Sequence, residues 1–103
     1  MMVMDIKAAL ERFKNHENIV IHTPTEEIAI KFLEWCEDNG IAWVLGDKAT
    51  KFTRWGMDKE KTCYRNNQRI THASIYWFKS CKFEIFDLSL EDILGVNKVF
   101  END

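Results

Sequence analysis

The chain has 103 residues, enough for one domain built around one core. Its 46% hydrophobic and 30% charged residues make a globular composition, and no stretch approaches the run of about 18 apolar residues that a membrane helix needs, so no membrane partner is expected. A net charge of −3 speaks against a long nucleic-acid duplex as partner.

In chain order, the opening MMVMDIKAALERF is amphipathic and acid-bearing, with no apolar stretch ahead of a small-residue cleavage site, so it is not read as a signal peptide. Residues 4–16 are expected to be a helix, because Ile6, Ala9, Leu10 and Phe13 recur on one face. NIVIH (18–22) carries successive β-branched residues and predicts a buried strand. Thr23, Pro24 and Glu26 then fit an N-cap, a first-turn proline and a capping-box acid. That helix is expected to run to about Asn39 and stop at Gly40, with Ile28, Phe32, Trp35 and Cys36 on its apolar face and Leu33 at the edge. IAWVL (41–45) predicts a second strand lying parallel to the first, which would complete a β-α-β unit.

Residues 46–61 are polar, basic and bounded by glycine, and predict a long loop. TCYR (62–65) and RITHAS (69–74) predict a hairpin turning at Asn66-Asn67-Gln68. IYWFKSC (75–81) is open between a helical turn and a strand, and KFEIFDL (82–88) predicts a last strand. Ser89 is expected to cap a short helix over 89–94, with Asp92 at its third position. The expected architecture is one α+β domain: an N-terminal helix over 1–17, an α+β core over 18–94 and a frayed tail over 95–103. Its mixed sheet has about four or five strands, and the 24–39 helix packs on one face.

Charge is segregated along the chain. Residues 1–38 carry net −4, residues 47–82 net +6 and residues 83–103 net −5. The basic segment interleaves cations with rings, at Arg54-Trp55, Tyr64-Arg65, Arg69 and Tyr76-Trp77. Guanidinium forks grip phosphates and rings stack on bases, so Arg54, Trp55, Arg65 and Arg69 form the candidate ligand-binding set. The bland alternative makes Trp55, Tyr64 and Trp77 core rings and the arginines solvated; Tyr64 and Trp77 are expected in the core, and Trp55 stays open between the two. An aromatic share of 13%, four tryptophans included, predicts an aromatic surface patch beyond what the core hides.

Cys36, Cys63 and Cys81 are odd in number and widely spaced, which predicts free thiols in a reducing, cytoplasmic compartment. A metal site would need Cys63, His72 and Cys81 to converge from a distance, and a thiolate-imidazole pair would need Cys63 to meet His72 across the hairpin. Neither is expected. There is no glycine-rich phosphate loop and no metalloprotease helix motif, so neither a catalytic residue nor a cofactor is predicted.

The order of features over residues 18–88 resembles a family of small uncharacterised proteins encoded by phages and prophages, mainly of Gram-positive bacteria. The resemblance is carried by IHTPTEEIA, the glycine-tryptophan-containing second strand, TRW (53–55), TCYR (62–65) and FEIFDL. This chain departs from the pattern with Cys81-Lys82 before the last strand and with its extra N-terminal helix. The resemblance implies an accessory protein of the bacterial host cytoplasm, without enzymatic activity, among whose kind antagonists of host immunity are common. The expected mechanism is sequestration of a small anionic nucleotide, such as a cyclic oligonucleotide or an ADP-ribose derivative, at the interface of a homo-oligomer. The alternatives are a protein inhibitor of a host defence effector such as a CRISPR nuclease, and a nucleic-acid-binding accessory factor.

Overall fold

A computed structural model describes residues 5–101 of the chain. The expected start of the first helix at residue 4 lies outside them. Among the described residues, five α-helices surround one four-stranded mixed sheet: α1 (Ile6–Lys14), β1 (Ile19–His22), α2 (Glu26–Asp38), α3 (Trp55–Asp58), β2 (Thr62–Asn67), β3 (Arg69–Ser74), α4 (Ile75–Ser80), β4 (Glu84–Asp87) and α5 (Leu90–Glu101). The α+β architecture is the one the sequence predicts. Strand order is β3-β2-β1-β4; β1 pairs antiparallel with β2 and parallel with β4.

Alternation along the strands separates two cores. Ile19, Ile21, Tyr64 and Ile70 face α1, α2 and α5 and form the larger core with Leu10, Phe13, Phe32, Trp35 and Ile93. Val20 and Cys63 point the other way and are covered by Phe78 of α4, with Phe83 and Ile85 packed alongside. In the larger core the Phe32 ring meets Phe13 edge-on at 5.1 Å and stacks on Trp35 at 5.9 Å.

Helix α2 ends where the sequence places its stop. Gly40 has φ +73°, and the next backbone N–H, of Ile41, donates to the Cys36 carbonyl while that of Gly40 donates to Glu37. These are the paired bonds of a Schellman end, which needs a residue at positive φ. The start of α2 is two residues later than expected. Thr25, not Thr23, is the cap, and its hydroxyl accepts from the Ile28 N–H at 3.2 Å. Thr23 cannot serve, because its own N–H and hydroxyl both donate to the Thr62 carbonyl and keep it in the β1–β2 edge.

Residues 41–45 do not form the expected parallel strand. Both edges of β1 are taken by β2 and β4, and the chain turns back at Gly46, φ +92°. The Trp43 N–H donates to Asp47 and the Gly46 N–H to Trp43, so the segment closes on itself and meets the backbone of β3 at a single Trp43–Ile70 bridge, with the Ile70 N–H donating to the Ala42 carbonyl. The expected loop over 46–61 holds a 3-10 turn at Ala49–Lys51, then α3, then a second 3-10 turn at Lys59–Lys61. The hairpin is tighter than expected, with β2 reaching Asn67 and Gln68 turning alone at φ +69°. Residues 75–80 are helical, and Ser74 caps them by accepting from the Tyr76 N–H. Trp77, expected in the core, is 54% exposed, because so short a helix turns Phe78 onto the sheet and positions 76 and 77 away from it. Ser89 does cap α5, accepting from Asp92, but the helix runs on through Gly95 to Glu101, where a frayed tail is expected.

Candidate functional site

The residues between α2 and β2 have no long strand or helix of their own, and they build a cleft against the β3 edge of the sheet. Trp43, Phe52, Arg54, Met57, Ile70 and His72 are among its lining, and its volume is about 310 Å3. Extended backbone at Phe52 places its side chain and that of Arg54, two residues on, to the same side. The Arg54 guanidinium lies over the Phe52 ring, 4.3 Å from its centre. Arg54 itself has φ +56°, an uncommon backbone for a side-chain-bearing residue, at the point where the chain enters α3. No carboxylate lies within ion-pair distance of it among the described residues.

The floor is rigid. The Trp43 indole N–H donates to the Ala49 carbonyl at 3.0 Å, and its ring meets Tyr64 and His72 edge-on, each at 6.0 Å. The Tyr64 hydroxyl donates to the Thr53 carbonyl, which ties the cleft wall to the larger core, and burial pushes the phenol well above its ordinary range. His72 is held below its usual value, first by burial and then by the charge of Arg54, with Asp58 acting against both. Its Nδ1 is buried and has no hydrogen-bond partner among the described residues. The rim is apolar and open: Leu45 is 88% exposed and Met57 74%.

The four residues expected to bind do not gather at one point. Arg54 lines the cleft. Trp55 is turned inward, where its indole N–H donates to the Thr23 carbonyl at 3.1 Å and its ring packs on the larger core, so it pins α3 to the end of β1. The Arg69 guanidinium reaches Gly46 at the neighbouring turn. Arg65 lies on the opposite face of the sheet, over the Phe83 ring at 4.6 Å and donating to the Asn18 side chain at 3.3 Å. Tyr64 is core, as the bland alternative has it. Trp43 and Phe52 stand outside the expected set, and His72, weighed as a metal ligand or as a partner of Cys63, instead lines this cleft. The spacing of Phe52 and Arg54 held the usable signal for Phe52; Trp43 was hidden by reading 41–45 as a strand.

The cysteine arrangements also resolve geometrically. Cys63 faces α4 while its hairpin neighbour His72 faces Trp43, so they stand on opposite sides of the sheet. Burial, with Asp87 and Asp58 adding to it, pushes the Cys63 thiol up to about 12, which keeps it protonated at neutral pH. Among the described residues no three His, Cys, Asp or Glu side chains are grouped to hold a metal.

A larger groove of about 440 Å3 runs between α1, α5 and the end of α2, against Leu10 and Trp35. Glu11, Glu91 and Asp92 on its walls offset Lys7 and Lys14, so it offers an anion no net attraction. No helix among the described residues is long and apolar enough to cross a membrane. Comparison with family models, with curated proteins and with solved structures returns no match to this chain.

Proposed function

We propose that the chain is a binding protein without turnover that holds a small anionic nucleotide in the Trp43–His72 cleft. The observation that carries this is the Arg54 guanidinium, over the Phe52 ring and with no carboxylate within ion-pair distance among the described residues, in the lining of an aromatic-floored cleft whose acid, Asp47, is paired with Lys51. A stacked guanidinium keeps its planar fork in place, so less freedom is lost when it grips a phosphate in two bonds. Leu45 and Met57 supply the apolar contact a base requires, and Arg69 adds a second cation beside the turn. Ligand sites generally span about 300–1,000 Å3. One cleft of about 310 Å3 therefore holds one nucleotide unit. A cyclic oligonucleotide would extend beyond it, and the open apolar rim is the surface a second copy would cover. In the setting that the phage-family resemblance implies, such sequestration removes a host immune signal.

Calorimetry against cyclic dinucleotides, cyclic trinucleotides and ADP-ribose derivatives tests this. One of them should bind, and Arg54→Ala should weaken it by about 30-fold or more, the cost of leaving a phosphate without its paired cation. Arg54→Lys should not restore it, because an ammonium lacks the fork. A wild-type chain that binds no member of the panel refutes the proposal.

A further inference from the structure

The sheet's other face has a different chemistry, and none of it is used by the cleft. On α4, Tyr76 is 62% exposed and Trp77 54%, while Phe78 between them and the sheet is buried. Trp77 meets Phe78 edge-on at 5.1 Å, so its ring is braced from beneath. Lys61 Nζ donates to the Tyr76 hydroxyl at 2.7 Å and sits 4.6 Å from the centre of its ring. Lys79 lies in the last turn of α4, and Lys82 follows it at φ +63°. None of these three lysines has a carboxylate within ion-pair distance among the described residues. The acids of β4 are hydrogen-bonded elsewhere, Glu84 to Arg12 and Asp87 to His22, while Glu60 stands at the rim beside Lys61 and Asp58 acts on Cys63 beneath α4. The acids of α2 lie across the sheet, in the other layer.

We infer that this α4 face is a contact surface for single-stranded nucleic acid, with Tyr76 and Trp77 as stacking rings and Lys61, Lys79 and Lys82 on the phosphates. Two adjacent exposed rings serve no core, and each offers a flat apolar surface of the size of a base. Base–ring stacking is tolerant of sequence and needs bases that are already unstacked, which a duplex does not present. The cations are lysines, which protein–protein interfaces avoid and phosphate contacts use as mobile point charges. This surface shares no residue with the nucleotide cleft and stands or falls apart from it.

The test is fluorescence polarisation of the whole protein with a short labelled oligothymidylate, and with oligouridylate in parallel, at low salt. Saturable binding with quenching of tryptophan emission is expected. Trp77→Ala should weaken it by about 5- to 150-fold, the range for loss of one stacked base. Trp77→Phe should keep most of the affinity, which separates stacking from damage to the fold; Trp77 is exposed, and melting of each variant checks the point. With three phosphate contacts, the logarithm of affinity should fall against that of salt with a slope of about −2, and Lys79→Ala should lessen the slope by about 0.7. Absence of binding at low salt overturns the inference, and so does equal binding of a duplex, or binding indifferent to both Tyr76→Ala and Trp77→Ala. Binding of an acidic protein through Trp77 in place of the oligonucleotide overturns it too.

Discussion

Two threonines two residues apart show how little of a side chain's role its identity decides. Thr23 and Thr25 both precede α2, and both fit the preferences of an N-cap. The difference is backbone: Thr23 is still bonded to Thr62 across the sheet, and Thr25 is the first residue free to turn. Thr25→Ala should therefore cost about 1 kcal/mol of stability, and Thr25→Gly only a few tenths, because glycine lets water reach the orphan N–H groups. Urea denaturation of the two variants measures it; equal losses would place the cap elsewhere. The cysteines separate in the same way. Cys81 is exposed, whereas Cys36 and Cys63 are buried and burial raises both thiols. A disulfide reagent at neutral pH should label Cys81 alone in the folded chain and all three after unfolding. Rapid native labelling of Cys63 would contradict its placement beneath α4.

Among the elements, those with a complete local signal were legible and those decided by competition for the sheet were not. The hairpin of β2 and β3 could be read because Cys63, Tyr64, Ile70 and Ala73 alternate about a polar turn. Helix α2 could be read because its apolar residues recur at helical spacing and Gly40 ends them. Phe32 sits at the centre of that apolar face, against Phe13, Trp35 and Tyr64. Phe32→Ala should cost about 3–5 kcal/mol, the range for emptying a buried ring site, as a drop in the denaturation midpoint. An unchanged midpoint would remove α2 from the core. Residues 41–45 are as β-prone as β1, and no local feature shows that β1 would pair instead with β2 and β4. The candidate site shared that fate. Arg54 was found from its chemistry, but Trp43 and His72 meet only because 41–45 fails to become a strand and folds against the edge of β3.

At the scale of the whole molecule, the sheet holds apart in space charges that are already segregated along the chain. The acids of α2 lie on one layer and the lysines around α4 on the other, while the cleft opens at the β3 edge. His72 reports on that cleft, because its titration is coupled to whatever charge enters. Burial holds it below the ordinary value of 6.5, against the pull of Asp58 and with a smaller push from Arg54. In the empty protein the sign follows directly. Above 6.5 the ring is neutral in both folded and unfolded chains, and stability is complete. As pH falls below that value the unfolded chain takes up the proton first, so stability is lost until the folded ring is protonated too. His72→Gln should flatten that part of the pH profile of unfolding. A bound phosphate acts on His72 in the opposite direction to Arg54, since an anion favours the imidazolium. Ligand should therefore raise the His72 midpoint, and affinity should increase as pH falls through the same window. Proton NMR of the His72 ring, with and without the nucleotide that calorimetry selects, follows both. A midpoint above the ordinary value in the empty protein would contradict the buried ring, and one indifferent to bound ligand would place that ligand outside the cleft.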